Sequence, residues 1–73
     1  MPGWLQWTRS GNVWGVTFAG ARWVIEQRKG ELPFLIFRVR ADSIQECARE
    51  LTITLAKKYV ERLAAKHAEE IGK

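Results

Sequence analysis

One cysteine, one histidine and two prolines are all that this chain of 73 residues holds of the residues that staple, ligate or break. Cys47, standing alone, cannot close an internal disulfide. One Cys and one His fall short of a zinc site, so no metal is implied. No apolar run approaches the roughly 20 residues that span a bilayer, which argues against a membrane protein. A glycine-rich phosphate loop is missing too. Gly11, Gly15 and Gly20 sit in or beside hairpin turns, with no helix following them. The lone cysteine and the absence of a signal-peptide pattern point to the cytoplasm.

Catalytic constellations are equally scarce. Glu46 and Glu50 stand four apart, a spacing that reads as a solvated helix face. Cys47 reads as a small buried hydrophobe and His67 as an interface or surface histidine. No catalytic residue, cofactor or small-molecule substrate is implied, and the expectation is a non-catalytic protein.

What the chain does have is uneven. Residues 1–40 carry Arg9, Arg22, Arg28, Lys29, Arg38 and Arg40 against only Glu26 and Glu31. Residues 41–73 balance six cations with six carboxylates, so the first half holds the whole net charge of +4. The same half holds all four Trp and all three Phe. Charged residues at 27% and apolar residues at 47% are an ordinary globular balance, against wholesale disorder.

Alternation of period two reads as strands near 4–8, 13–19, 22–28 and 33–40. Short Gly-containing links join them, as in antiparallel hairpins. Asp42-Ser43 then reads as a helix start, with Ser43 and Glu46 at capping-box spacing. No Gly or Pro interrupts Ile44 to Ile71. The expected fold is therefore α+β in one domain, 1–73. An antiparallel meander of three to four strands occupies 1–40. One long C-terminal helix occupies 41–73, running from about 43 to 71 and packed on one sheet face. Expected core positions are Trp14, Val16, Phe18, Trp23, Ile25, Leu35, Phe37, Val39, Ile44, Ala48, Leu51 and Leu55.

Such a helix would be roughly 40 Å long against about 23 Å for a seven-residue strand. Its apolar stripe also changes angle. Ile44, Cys47, Ala48, Leu51 and Leu55 form one stripe, and Ile53, Ala56, Val60, Leu63, Ala64, His67 and Ile71 form another. Two stripes imply two packing partners: the chain's own sheet, and a second subunit held through Val60, Leu63, Ala64 and Ile71. The alternative is a break near Thr52-Ile53-Thr54, where β-branched residues weaken a helix.

For binding, the sheet face carrying Arg22, Arg28, Arg38 and Arg40, interleaved with Val24, Phe34 and Ile36, is the leading candidate. Arginine forks onto phosphates and guanine edges, and an antiparallel ribbon can enter a major groove. Trp7 and Phe34 would be available for stacking or apolar contact. A helix-turn-helix over Ala48–Thr54 is disfavoured, because Thr52 stands at the turn glycine and Lys58 where an apolar residue is needed.

Gly15-Val16, Arg22–Arg28, Lys29-Gly30, Phe34–Phe37 and Ser43–Ala48 together resemble the three-stranded-sheet-plus-helix DNA-binding domains. Those include the plant ethylene-response-factor type and the arm-binding domains of phage-type tyrosine recombinases. The resemblance covers about half the chain and implies a sheet that reads the major groove with a helix behind it. The extra Trp-rich N-terminal segment and the second helix stripe depart from that pattern. The rival expectation is a small dimeric protein-interaction module or inhibitor, a class with phage-encoded members, docking through the exposed apolar residues of the same face.

Overall fold

The computed structural model describes residues 5–18 and 20–71, with side-chain surroundings through His67. Five strands, β1 (Thr8–Ser10), β2 (Val13–Phe18), β3 (Ala21–Gln27), β4 (Phe34–Arg40) and β5 (Ser43–Glu50), precede one helix, α1 (Ile53–Ile71). The strands pair in chain order as a five-stranded antiparallel sheet. The architecture is α+β, with one strand more than the sequence led us to expect.

The extra strand is β5. Ser43–Glu50 is not the first part of the helix. Ala41 and Asp42 make a two-residue link, and the chain returns along the free edge of β4 with Ile36 opposite Ala48 and Val39 opposite Ile44. An apolar β4 left as an edge would expose a row of unpaired backbone groups, and pairing with β5 removes them. A bulge between Ile36 and Phe37 makes Cys47 the extra residue of β5.

The helix instead starts after Thr52. The Leu55 backbone N–H donates to Thr52 Oγ1 at 3.2 Å, an N-cap bond. Nineteen residues of α1 span roughly 28 Å, which matches the sheet. The β-branched run at Thr52-Ile53-Thr54 thus marks where the helix begins.

The second apolar stripe is helical throughout, and of the first only Leu55 lies in α1. Ala56, Val60 and Ala64 are fully buried against the sheet, with Ile53, Tyr59 and Leu63 packed beside them. The small alanines let α1 lie close to the rings beneath it. Trp14, Val16 and Phe18 of β2 and Trp23 and Ile25 of β3 supply that floor. Phe18 and Trp23 stack at 5.2 Å, and Trp14 meets Phe34 edge-on at 5.9 Å. Of the residues that the first stripe contributed to the expected core, Ala48 packs against it from β5 and the other three do not. Ile44, Leu51 and Leu55 are 71%, 59% and 44% exposed.

The phase of β4 also differs from expectation. Ile25 pairs with Ile36 and Trp23 with Arg38, so Phe34, Ile36, Arg38 and Arg40 share the helix side with Trp23 and Ile25. Leu35, Phe37 and Val39 lie on the opposite face. Leu35 is nonetheless buried, whereas Phe37 and Val39 are half-buried. Phe34, Leu35, Ile36 and Phe37 are all apolar, so alternation alone does not orient this strand. The loop before it does: the Arg28 N–H donates to Pro33 O at 2.7 Å and leaves Gln27 opposite Phe34.

Ile36→Ala should therefore cost about 2–5 kcal/mol through a cavity under α1. Val39→Ala, on the open face, should cost much less, and Thr52→Ala about 1 kcal/mol through the lost cap. Denaturant midpoints check this. Equal losses for Ile36→Ala and Val39→Ala would put the helix on the wrong face.

Candidate binding faces

With α1 on one side, no described element covers the other side of the sheet. Strand alternation places Val13, Gly15 and Thr17 of β2, Arg22, Val24 and Glu26 of β3, and Leu35, Phe37 and Val39 of β4 there. Ile44, Glu46 and Arg49 of β5 complete it. Val24, Phe37, Val39 and Ile44 adjoin one another in a shallow apolar groove of about 240 Å³ whose rim includes Glu26 and Arg28.

The charges around that strip are paired. Arg28 donates to Glu26 and holds its guanidinium 5.8 Å from the Phe37 ring centroid. Arg49 forks onto both carboxylate oxygens of Glu46 at 3.0 and 3.1 Å. The hydrogen bond from Arg49 is the main reason the Glu46 carboxyl titrates below its usual range. The charges of Arg49 and Arg28 add to this, and desolvation opposes it. The same bond raises Arg49 above its usual value.

Arg22 lies at the far end of this face, in a basin of about 490 Å³ shared with Gln6, Thr8 and Thr17. Its guanidinium rests over Gly15. A Cβ built there would stand 3.1 Å from one terminal nitrogen, so the missing side chain is what lets the arginine lie flat.

The four arginines expected on one face are divided. Arg22 and Arg28 are on the open side. Arg38 and Arg40 are on the helix side, where Arg38 donates to Gln45 Oε1 at 2.6 Å. The one-residue phase of β4 is the cause, since it exchanges the two faces of the whole strand. Trp7 and Phe34 are not on the open side either. Both pack against the core, Trp7 with the Lys57 ammonium 5.7 Å from its ring centroid. Ile36, also expected outward, is fully buried.

Val60 and Ala64, expected at a subunit interface, are fully buried in the chain's own core, and Leu63 packs at its margin. The Ile71 side chain lies outside the described residues. Val24 already stood on the predicted outer face. Phe37, Val39 and Ile44 were missed on this face, because β4 was read in the opposite phase and β5 as helix; Glu46 was expected to be solvated, and is, though on a strand. No period-two pattern marks β5 in the sequence, because the bulge at Cys47 breaks the alternation. No helix is long and apolar enough to cross a membrane among the described residues. The chain matches no protein-family model, no curated protein and no solved structure.

A carboxylate with a depressed pKa favours folding above its unfolded value and loses that contribution as pH falls through the folded value. For the exposed Glu46–Arg49 pair the contribution is small. Arg49→Gln should move the Glu46 carboxyl back up toward the ordinary glutamate range in a carbon-13 NMR titration. An unchanged Glu46 titration would contradict the pair.

Proposed function

We propose that this chain is a non-catalytic protein-interaction module that docks a protein partner through the open sheet face. The observation that carries the reading is the apolar strip of half-buried Val24, Phe37 and Val39 with exposed Ile44, on a sheet whose other side is filled by α1. An apolar strip rimmed by polar residues is the usual mark of a protein interface. The charges on this face are of mixed sign, Arg22, Arg28 and Arg49 against Glu26 and Glu46. A duplex, carrying one negative charge per about 1.7 Å, calls for a surface of one sign.

The reading as a sheet-face reader of DNA rested on four arginines in one array. With Arg38 and Arg40 on the far side, that array has two members, and one of them is already engaged by Glu26.

The first partner to test is a second copy of the chain. The face carries arginines and glutamates in comparable number, so a twofold arrangement can set Arg28 or Arg49 of one copy against Glu46 or Glu26 of the other. A lone core in a domain this small supplies only a few kcal/mol, and a second subunit would add to it.

Sedimentation equilibrium at high micromolar concentration should give a dimer whose stability changes little between low and high salt. The double variant Phe37→Asp/Ile44→Asp should give a monomer with unchanged far-ultraviolet circular dichroism. A wild-type monomer that binds duplex DNA, with affinity falling by decades between about 50 and 200 mM salt, would overturn the proposal.

A further inference from the structure

On the helix side, where the last turns of α1 pass the ends of β3 and β4, a second cleft opens. Its volume is about 280 Å³. Arg38 and Arg40 reach it from β4, and Lys66 and His67 from α1, above a floor that includes Phe18 and Trp23. Among the described residues, none of the lining side chains is a carboxylate. The only partner of Arg38 among the described residues is the neutral amide of Gln45. Both described ion pairs, Arg28–Glu26 and Arg49–Glu46, lie on the opposite side of the sheet.

Trp23 supplies a reporter for the cleft, because it is one of the lining residues. Trp23 is only 7% exposed, and its indole N–H is buried with no acceptor among the described residues. A buried donor without a partner costs free energy, and buried polar groups are nearly always satisfied. The cleft beside it is basic, with Arg38, Arg40 and Lys66 among its described lining residues and Gln45 the described partner of Arg38.

We infer that this cleft is an anion site for the phosphate group of a small phosphorylated ligand. Arg38 and Arg40 offer planar forks that match phosphate oxygens, and Lys66 adds a point charge. The volume is near the lower end of small-molecule sites, about 300 Å³, so the cleft holds a phosphate or diphosphate group. The stacked rings of Phe18 and Trp23 close it from below. The site is separate from the open sheet face and does not depend on how that face is used.

The test is a titration of the nitrogen-15-labelled chain with inorganic pyrophosphate at constant ionic strength, following the indole N–H resonances. Trp23→Phe assigns the Trp23 signal. The expected result is a saturable shift of the Trp23 indole resonance, with the other indoles moving less. Arg40→Gln/Lys66→Gln changes two exposed side chains and should weaken binding at least about tenfold. Arg22→Gln/Arg28→Gln, which removes the same charge from the open face, should leave it unchanged. A shift that does not saturate, or equal losses in the two double variants, would overturn the assignment. A short DNA duplex that shifts the same resonances at lower concentration than pyrophosphate would also overturn it, because the phosphate would then belong to a nucleic-acid backbone.

Discussion

The pairing of Ile25 with Ile36 across β3 and β4 decides most of what this molecule presents to its surroundings. Both side chains are fully buried beneath α1. Once they face each other, strand alternation leaves no freedom. Phe34, Arg38 and Arg40 must follow Ile36 to the helix side, and Phe37 and Val39 must go to the open side. A slip of one residue would bury Phe37 and Val39 and set Arg38 and Arg40 beside Arg22. The same sequence would then offer a basic sheet where it now offers an apolar one.

The helix enforces this choice. Ala56, Val60 and Ala64 form a narrow, smooth ridge, and the aromatic floor of Trp14, Phe18 and Trp23 rises to meet it. Bulk is thus divided unequally between the layers: large rings on the sheet, small side chains on the helix. One helix covers one face of the five-stranded sheet, and no element among the described residues covers the other. The open face is consequently half apolar by construction. Its charged residues, Arg28 over Phe37 and Arg49 on Glu46, shield part of that strip from water.

Much of this was legible in the sequence, and the failures have physical causes. The alternation of Trp14, Val16 and Phe18 and of Trp23 and Ile25 identified β2, β3 and their buried side. The stripe Ile53, Ala56, Val60, Leu63, Ala64 and His67 was read correctly as one helical face, although its partner was taken for another subunit. β5 was hidden because Ser43 and Glu46 imitate a capping box and Glu, Ala and Arg are good helix formers. Strand formation there is a tertiary effect: the free edge of β4 recruits whatever follows the Ala41-Asp42 turn. The mismatch between a roughly 40 Å helix and a roughly 23 Å strand was the symptom of that error. The division of the arginines was not legible, because alternation orders residues within a strand and says nothing of how two strands are phased.

The account stands on which side of β4 faces α1, and methyl nuclear Overhauser contacts measure that directly. The prediction is that Ile25 and Ile36 methyls show contacts to Val60 and Ala64, while Val24, Val39 and Ile44 methyls show none to any residue of α1. Contacts from Leu35 or Val39 to Val60, with Ile36 silent, would contradict the register. The open apolar face and the basic cleft beside the helix would both fall with it.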